Sequence, residues 1–406
     1  MPCMHMKRDP RALEAALAAL ERQDLKRTRS TVESFTEPGS RLACIAKQGA
    51  APLVDFSSND YLGLGRHPGV AAAMAASAEH WGAGSGASHL VTGHGAEHAR
   101  LEEELAEFTG RERALLFSTG YMANLAVVAS LAGRGELVLL DRLSHASLID
   151  AGLLSGARFS RYGHGDAAAA EHRLARATGK GAVVATDGVF SMDGDIAPLA
   201  ALARASKNHC AWLVVDDAHG LGVIGASGRG SLEHLGLSED DVPVLVGTLG
   251  KAFGSFGAFV AGTSDLIEFL IQKARPYIYT TALPQPVAAA SRASLRVAQR
   301  ESWRRERVLA LTKRFRRAAA QLSVPVGVST TPIQPVILGS AAAALTAQQA
   351  LMEAGFWVVA IRPPTVPRGS ARLRITLSAA HTEAQVDALV DKLAQVCAPT
   401  LEAETE

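Results

Sequence analysis

The stretch WLVVDDAHG, residues 212–220, does most to decide the fold. Four apolar residues are followed at once by Asp216 and Asp217 and, two positions later, by His219. A short, continuously apolar run predicts a strand buried on both faces, as in a parallel sheet covered by helices. Because ligands of such sheets bind beyond the carboxyl ends of the strands, the polar residues after Val215 are candidates for a functional site.

Similar apolar runs recur between residues 111 and 262 and alternate with helical patterns. They are ALLF (114–117), LVLL (137–140), AVVAT (182–186), VLVGTL (244–249) and AFVAG (258–262). This alternation predicts an α/β domain with a mostly parallel sheet. Polar or small residues follow four of these runs, as STGYMAN, DRLSHAS, DGVFSMDGD and LGKAFG. With WLVV, five strand ends are therefore expected to form one site at one edge of the sheet.

The remainder of the chain predicts a smaller domain and an N-terminal helix. A helical pattern covers residues 284–317, and IQPVILG, FWVVAI and ARLRITLS read as strands between helices near 341–354 and 382–396. The first 23 residues resemble an amphipathic helix rather than a signal peptide. We therefore predict an N-terminal segment (1–58) that packs with the small domain, a large domain (59–290) and a small α+β domain (291–406).

Composition excludes several classes of function. The 406 residues include 41 Lys and Arg and 40 Asp and Glu, and this balance gives no support for nucleic acid as the main partner. No apolar run is long enough to cross a bilayer, so no membrane partner is expected. The four cysteines are far apart and predict neither a disulfide framework nor a metal site: Cys3, Cys44, Cys210 and Cys397. A cytoplasmic location is the resulting expectation.

Lys251 is the lone lysine of the glycine-rich stretch VGTLGKAFGSFGA (246–258), and it has several possible roles. A triphosphate-binding loop is excluded, because Ala252 stands where Ser or Thr is needed and Leu245 where glycine is needed. A covalent catalyst is consistent with the stretch, since an apolar setting lowers the pKa of a lysine and glycines make room for a flat ring.

The other strand ends supply groups that would complete such a site. STGYMAN begins a helix, where Ser118–Gly120 either bind an anion or simply cap the helix, and Thr248 is a second candidate for the same anion. Asp216 could keep a ring nitrogen protonated, and His219 could donate to a phenolate oxygen. Together with His145 and a reactive lysine, these are the groups that a protein contributes to a pyridoxal 5′-phosphate (PLP) site.

The sequence resembles the α-oxoamine synthases. These are PLP enzymes of fold type I, which is also called the aspartate-aminotransferase-like fold. The resemblance covers about residues 55–381. Its motifs are FSSNDYLGL (56–64), GSGASHLVTG (84–93), LEEELAEF (101–108), DRLSHASL (141–148), GVFSMDGD (188–195), VDDAHGLGVIG (215–225), GRGS (228–231), TLGKAFG (248–254) and AIRPPTVPRGSARLRITLSAAHT (360–382). It implies a large domain with a mostly parallel seven-stranded sheet, a smaller α+β domain, and a homodimer.

The resemblance also implies which residues hold the cofactor. Lys251 would form the Schiff base with PLP, and Asp216 would pair with its pyridine nitrogen. His219 and Ser191 would bond the O3′ side of the ring, and His145 would stack on the ring and act near the substrate. The phosphate would be held by Gly120, Tyr121 and Thr248, with Thr280 or Thr281 reaching across to the partner subunit's phosphate.

Substrate residues follow in the same way. Asn59 would line the site, Arg362 would hold a carboxylate, and Thr365 would contact substrate. The family usually has an arginine in its N-terminal helix for the acyl carboxylate. Here DLKRTR (24–29) has a lysine at the aligned position, so Lys26 or Arg27 would serve, although a lysine lacks the bidentate fork. Asp187 stands where glutamate is frequent, and this difference does not discriminate between family members.

The implied reaction is decarboxylative condensation of L-alanine with a pimeloyl thioester, carried by CoA or acyl carrier protein, in biotin biosynthesis. IRPPTVP and NDYLGL favour this alanine-using activity. A glycine-using relative, such as 2-amino-3-ketobutyrate CoA ligase or 5-aminolevulinate synthase, is the alternative with the same chemistry. A non-catalytic binding subunit of this fold is disfavoured because Lys251 is present.

Overall fold

The computed structural model describes residues 10–32, 42–43, 52–177 and 181–402. Cys3, Cys44 and the first nine residues of the predicted N-terminal helix lie outside these ranges. The helices are α1 Pro10–Arg22, α2 Pro68–Trp81, α3 Ala96–Thr109, α4 Gly120–Leu131, α5 Ala146–Leu154, α6 Ala167–Ala175, α7 Leu199–Asn208, α8 Ser231–Leu235, α9 Ser264–Lys273, α10 Arg275–Ile278, α11 Gln285–Arg300, α12 Trp303–Gln321, α13 Ala341–Glu353 and α14 Glu383–Glu402. A π-helical turn, His89–Gly93, precedes α3.

The described strands have two to seven residues each. They are β1 Leu42–Ala43, β2 Leu53–Asp55, β3 Arg113–Phe117, β4 Leu137–Asp141, β5 Arg158–Tyr162, β6 Ala182–Asp187, β7 Trp212–Asp216, β8 Val244–Thr248, β9 Ala258–Gly262, β10 Ile333–Gly339, β11 Phe356–Trp357, β12 Val359–Ile361 and β13 Ala371–Thr376. No described helix has both the length and the apolar character needed to cross a bilayer.

The chain forms two compact units. Unit 1 comprises residues 1–58, 311–329 and 333–406, and unit 2 comprises residues 59–310 and 330–332. The three-part division predicted from the sequence stays a prediction, and the two units are described separately below.

Unit 2 contains a seven-stranded sheet in the order β3-β9-β8-β7-β6-β4-β5. Neighbours from β8 to β5 are parallel, whereas β9 is antiparallel to both β3 and β8. Six strands therefore run in one direction and β9 runs in the other. The predicted fold class is confirmed, and the five strand ends singled out in the sequence lie at the same edge.

Both faces of this sheet are buried, because alternate residues of each strand point to opposite sides. Val138, Val214 and Val246 pack in one apolar cluster with residues of α4, α5 and α9. Their neighbours Leu139 and Val215 pack in a second cluster with residues of α6 and α7. This two-sided burial explains why β4, β7 and β8 are continuously apolar in sequence.

Unit 1 contains two small sheets. β10, β13 and β12 form an antiparallel sheet, and β2 pairs with β1 and with β11. Helix α13 packs on β12, β13 and α14. The predicted strand FWVVAI is divided at Val358, since its first two residues pair with β2 and its last three with β13.

Candidate active site

The turns after β7 and β8 bring three predicted residues together. Asp216 ends β7, His219 lies in the next turn, and Lys251 follows β8. The Nζ atom of Lys251 lies 2.9 Å from Nε2 of His219. Asp216 and His219 are only 8% and 6% exposed. A lysine amine, an imidazole and a carboxylate thus share one sheltered edge of the sheet.

Asp216 is held by neutral donors. Its Oδ2 accepts a hydrogen bond from Nδ2 of Asn124 at 2.6 Å, and its Oδ1 accepts one from the backbone N–H of Ala218 at 3.1 Å. Among the described residues, no lysine or arginine forms an ion pair with Asp216. A buried carboxylate without a countercharge suits a ligand that brings a protonated ring nitrogen, as PLP does.

Asp187 lies beside Asp216 in the register of β6 and β7. Burial, and next the charge of Asp216, raise the pKa of Asp187 well above its usual range. Oδ2 of Asp187 accepts the backbone N–H of His145 at 2.9 Å. Asp187 therefore fixes the start of α5, and the upward shift of its pKa favours the neutral acid beside Asp216.

His145 caps the N-terminus of α5. Its Nδ1 lies 2.7 Å from Oγ of Ser147 and accepts the backbone N–H of Ser147. The network thus assigns the ring hydrogen to Nε2. Burial, and further the charge of Lys251, lower the pKa of His145, while Asp216 opposes the shift. His145 is accordingly a neutral imidazole near Lys251 and Asp216.

Asn124 is a site residue that the sequence analysis missed. It is 1% exposed, and its Nδ2 donates both to Asp216 and, at 2.8 Å, to Oγ of Ser147. One amide thereby connects the carboxylate of Asp216 with the side chains that orient His145. The signal in the sequence was a polar residue one turn into the apolar helix GYMANLAVVASL, on the face that is buried against the sheet.

The N-terminus of α4 offers an anion site beside this cluster of strand ends. Thr119 caps the helix, since its Oγ1 accepts the backbone N–H of Met122 at 3.2 Å. Gly120 and Tyr121 begin the helix, so their N–H groups have no carbonyl one turn back. A Cβ built on Gly120 would meet no atom within 4 Å. Thr119 thus caps the helix, as one interpretation of STGYMAN predicted. The N–H groups of Gly120 and Tyr121 are available to a phosphate, and its binding there stays a prediction.

Three further predicted cofactor residues have different surroundings. Thr248 donates to the carbonyl of Gly257 at 3.1 Å and accepts the N–H of Gly250, so its hydroxyl already stabilises the turn that carries Lys251. Tyr121 is partly exposed, and its hydroxyl donates to Asp150. Ser191 lies half-buried in the turn after β6. Their contacts with PLP stay predictions.

The predicted substrate residues of unit 1 form a cluster of their own. Lys26, Arg27, Arg362 and Thr365 line one cavity of about 500 Å³. Arg27 donates to Oγ1 of Thr365 at 3.2 Å, and Arg362 donates to the backbone carbonyls of Asp24 and Lys26. Burial, and next the charge of Arg27, lower the pKa of Arg362. Two guanidinium groups in one cavity are suited to a carboxylate ligand.

Lys26 and Arg27 differ in their partners. Nζ of Lys26 forms an ion pair with Glu21 at 3.0 Å and its side chain is 42% exposed. Arg27 instead points to Thr365 and interacts electrostatically with Arg362. Asn59, the last predicted substrate residue, belongs to unit 2, and its Oδ1 lies 3.2 Å from the hydroxyl oxygen of Tyr61.

A trio of histidines, His89, His94 and His98, was also missed in the sequence. One ligand atom from each lies within 4.8 Å of the other two. However, both ring nitrogens of His98 are used, one by the N–H of Gly95 and one by the carbonyl of Leu283. Nδ1 of His89 bonds Nδ1 of His94 at 3.0 Å. Burial lowers the pKa of all three, so we interpret the trio as a hydrogen-bonded packing cluster.

Comparison with known proteins identifies the family. Residues 51–393 match the family model of aminotransferase class I and II. An 8-amino-7-oxononanoate synthase from Methylococcus capsulatus is 60% identical over 380 residues, which cover 94% of this chain and 97% of that protein. Among solved structures, a variant of serine palmitoyltransferase from S. paucimobilis with PLP and myriocin bound superposes with a TM-score of 0.89. It is 31% identical and covers 96% of this chain and 97% of its own.

A solved 8-amino-7-oxononanoate synthase from Francisella tularensis is also similar. Its TM-score is 0.74 at 32% identity, and the match covers 84% of this chain and 97% of the other. The family's cofactor is PLP, for which the edge of the sheet supplies an amine, a carboxylate and a helix N-terminus. The chain belongs to the 8-amino-7-oxononanoate synthase family of PLP-dependent acyltransferases.

Proposed function

We propose that the enzyme condenses L-alanine with a pimeloyl thioester, with loss of CO2, to give 8-amino-7-oxononanoate and a free thiol carrier in biotin biosynthesis. The observation that carries the proposal is the convergence of Lys251, His219 and Asp216 in a chain 60% identical to a named synthase. A glycine-using relative remains the alternative, and the experiment below separates the two.

Each site residue has a role in the proposal. PLP, when bound, acts as an electron sink for negative charge at the α-carbon of the amino acid. Asp216 holds the pyridine nitrogen protonated, and His219 donates to the O3′ oxygen. The N–H groups of Gly120 and Tyr121 hold the phosphate, helped by the partial positive charge of the helix N-terminus. Lys251 anchors the cofactor and exchanges protons with the substrate.

The reaction begins at the α-carbon of alanine. Lys251 Nζ takes the α-proton of alanine. The α-carbon then bonds to the thioester carbonyl carbon, and the thiolate carrier leaves and takes up a proton. The carboxylate of alanine departs as CO2, and the electron pair left on the α-carbon takes a proton back. A neutral His145 is suited to donate that proton or to hydrogen-bond the new ketone.

Arg27, rather than Lys26, is proposed to recognise the distal carboxylate of the acyl donor. Its guanidinium is bonded to Thr365 and shares the cavity with Arg362, whereas the ammonium of Lys26 is paired with Glu21. A guanidinium can also bind a carboxylate through two parallel hydrogen bonds. The chain therefore keeps the family's arginine function one residue later than the aligned position.

We also propose a homodimer in the cytoplasm. Leu90, Val91 and Tyr279 are 51%, 73% and 69% exposed, and an isolated bridge between Ser88 and Thr281 holds these segments side by side. An apolar patch of this kind suits a second copy of the chain. Thr281, which is exposed, is the better candidate to reach the partner subunit's phosphate, because the hydroxyl of Thr280 donates to Pro276.

The carrier and the compartment complete the proposal. Acyl carrier protein and CoA are both proposed donors, since each presents the same thioester. The described cysteines, Cys210 and Cys397, are free thiols, in keeping with a reducing cytoplasm.

The test is substrate-dependent CO2 release. Purified holoenzyme is incubated with alanine or glycine and with pimeloyl, acetyl or succinyl thioesters of CoA. The proposal expects release with alanine plus the pimeloyl thioester at a rate well above every other pair. Turnover confined to glycine plus the acetyl thioester would instead assign the ligase activity and overturn the proposal.

A further inference from the structure

Tyr61 makes a contact with the catalytic cluster for which the proposed mechanism has no role. Its hydroxyl oxygen lies 2.7 Å from Nδ1 of His219 and 3.2 Å from Oδ1 of Asn59. The other ring nitrogen of His219 faces Nζ of Lys251 at 2.9 Å. A continuous chain of hydrogen bonds therefore runs from Asn59 through Tyr61 and His219 to Lys251.

Burial makes each link of this chain consequential. Tyr61 is 1% exposed and His219 6% exposed, so bulk water does not replace a lost partner freely. A buried polar atom left without its hydrogen-bond partner destabilises the protein. The donors and acceptors of Tyr61 and Lys251 therefore determine which ring nitrogen of His219 carries the hydrogen.

The lengths of the two contacts described above indicate the direction of the chain. The hydroxyl of Tyr61 has one hydrogen, and the shorter of these contacts is the one to Nδ1 of His219. If that hydrogen goes to Nδ1, the hydrogen of the neutral imidazole is on Nε2, and the amide of Asn59 completes the chain by donating from its nitrogen. Amide oxygen and nitrogen exchange places by a rotation of the side chain, so this orientation is open to Asn59.

We propose that Tyr61 is a positioning residue that donates its hydroxyl hydrogen to Nδ1 of His219 and so holds the imidazole N–H on Nε2. This inference rests on the proposed function. The Nε2–H then points to Lys251 Nζ, where it favours the neutral amine that a nucleophilic lysine needs. With PLP bound, the same N–H is the donor that the proposed contact with O3′ requires.

The sequence placed Tyr61 within NDYLGL without giving it a role. Its backbone position is also fixed, since the N–H of Tyr61 donates to the carbonyl of Asn59 and Asp60 accepts the N–H groups of Leu64 and Gly65. The hydroxyl is thereby aimed at His219 by a rigid turn.

The first test reads the tautomer directly. The apoenzyme is labelled with ¹⁵N-histidine, and the two ring nitrogens of His219 are assigned by comparison with His219→Asn. The proposal expects one protonated nitrogen, Nε2, in the wild type and in the control Tyr277→Phe, a buried tyrosine outside the chain of hydrogen bonds. Tyr61→Phe should shift the hydrogen to Nδ1 or give a mixture. An unchanged tautomer in Tyr61→Phe would overturn the proposal.

The second test uses a double-mutant cycle. Tyr61→Phe should lower kcat about tenfold, the equivalent of 1.4 kcal/mol, with KM for alanine nearly unchanged. Because Tyr61 is proposed to act through His219, it should have little further effect in the His219→Asn background. An equal loss in both backgrounds would show a merely structural role. The PLP content of every variant is also measured by absorbance. Absence of bound PLP in the wild type would show that the proposed cofactor site is wrong, independently of the role of Tyr61.

Discussion

Removal of the Asn124 side chain should weaken cofactor binding through Asp216. Asn124→Ala deletes Nδ2, the donor that lies 2.6 Å from Oδ2 of Asp216 and 2.8 Å from Oγ of Ser147. A hydrogen bond to a charged group contributes about 1.5–3 kcal/mol. Without this donor, the buried charge of Asp216 loses about that much stabilisation.

The expected result is a weaker affinity for PLP. A carboxylate that has lost this hydrogen bond is less well held for the pyridinium, and we expect the Kd of PLP to rise about 10- to 100-fold. Titration of the apoenzyme with PLP, followed by absorbance, measures this constant. Because Asn124 is buried, the urea unfolding of each apoenzyme is measured in parallel to confirm that the variant is folded.

Ser147→Ala is the matched control. It removes the bond to Ser147 and keeps the bond between Asn124 and Asp216, so the Kd of PLP should change by no more than about tenfold, as expected for one neutral hydrogen bond. If folded Asn124→Ala binds PLP as tightly as the wild type, the argument that Asn124 sustains the charge of Asp216 is wrong.

Three further predictions follow from the structure. Arg27→Ala should lower kcat/KM for the pimeloyl thioester about 10- to 100-fold in steady-state assays, the loss expected for one charged hydrogen-bonded contact. Lys26→Ala should change kcat/KM less than threefold. The reverse ranking would assign binding of the carboxylate to Lys26. Gly230→Ala should lower the free energy of unfolding in urea by more than about 1 kcal/mol, because Gly230 has φ +87° and a Cβ there would collide with Asp217. An unchanged midpoint of the urea transition would refute the close packing of Gly230 against Asp217. Burial raises the pKa of Glu102 to about 7 from its usual 4.5. Between these pH values the folded protein retains a proton that the unfolded chain releases, so the free energy of unfolding should fall as the pH rises from about 4.5 to 7. Glu102→Gln should remove this part of the pH dependence in unfolding experiments at pH 5 and pH 8, and an identical slope in both proteins would contradict the assignment.

Much of the large unit could be predicted from its apolar runs, and its one missed strand has a clear reason. β5, Arg158–Tyr162, is the edge strand of the sheet and pairs only with β4. Its sequence RFSRY contains two arginines and a serine, as is typical of an edge strand whose residues are largely half-buried or exposed. A search for continuously apolar strands therefore could not find it.

Helix boundaries were less predictable than helix existence. The helical pattern of residues 284–317 is in fact two helices, α11 and α12, divided near Glu301, whose backbone leaves the helical region. Neither Gly nor Pro marks this break. The sequence GLGVIG (220–225), in contrast, forms a glycine-rich turn, with Gly222 and Gly225 at positive φ.

The site shows the same division between what a pattern reveals and what only packing reveals. Lys251, Asp216 and His219 were found because they follow apolar strands directly. Asn124 and Tyr61 were missed because each is distant in sequence from the residue that it contacts. Their hydrogen bonds to Asp216 and His219 span 92 and 158 residues. Pairings of that range depend on the topology of the sheet rather than on local sequence.

The most direct test of the account is the identity of the lysine that binds PLP. The holoenzyme is reduced with borohydride and digested, and the modified peptide is identified by mass spectrometry. The account predicts a phosphopyridoxyl group on Lys251 and no stable adduct in Lys251→Ala reconstituted with PLP and reduced in the same way. A label on another lysine, or a stable reduced adduct in Lys251→Ala, would contradict it.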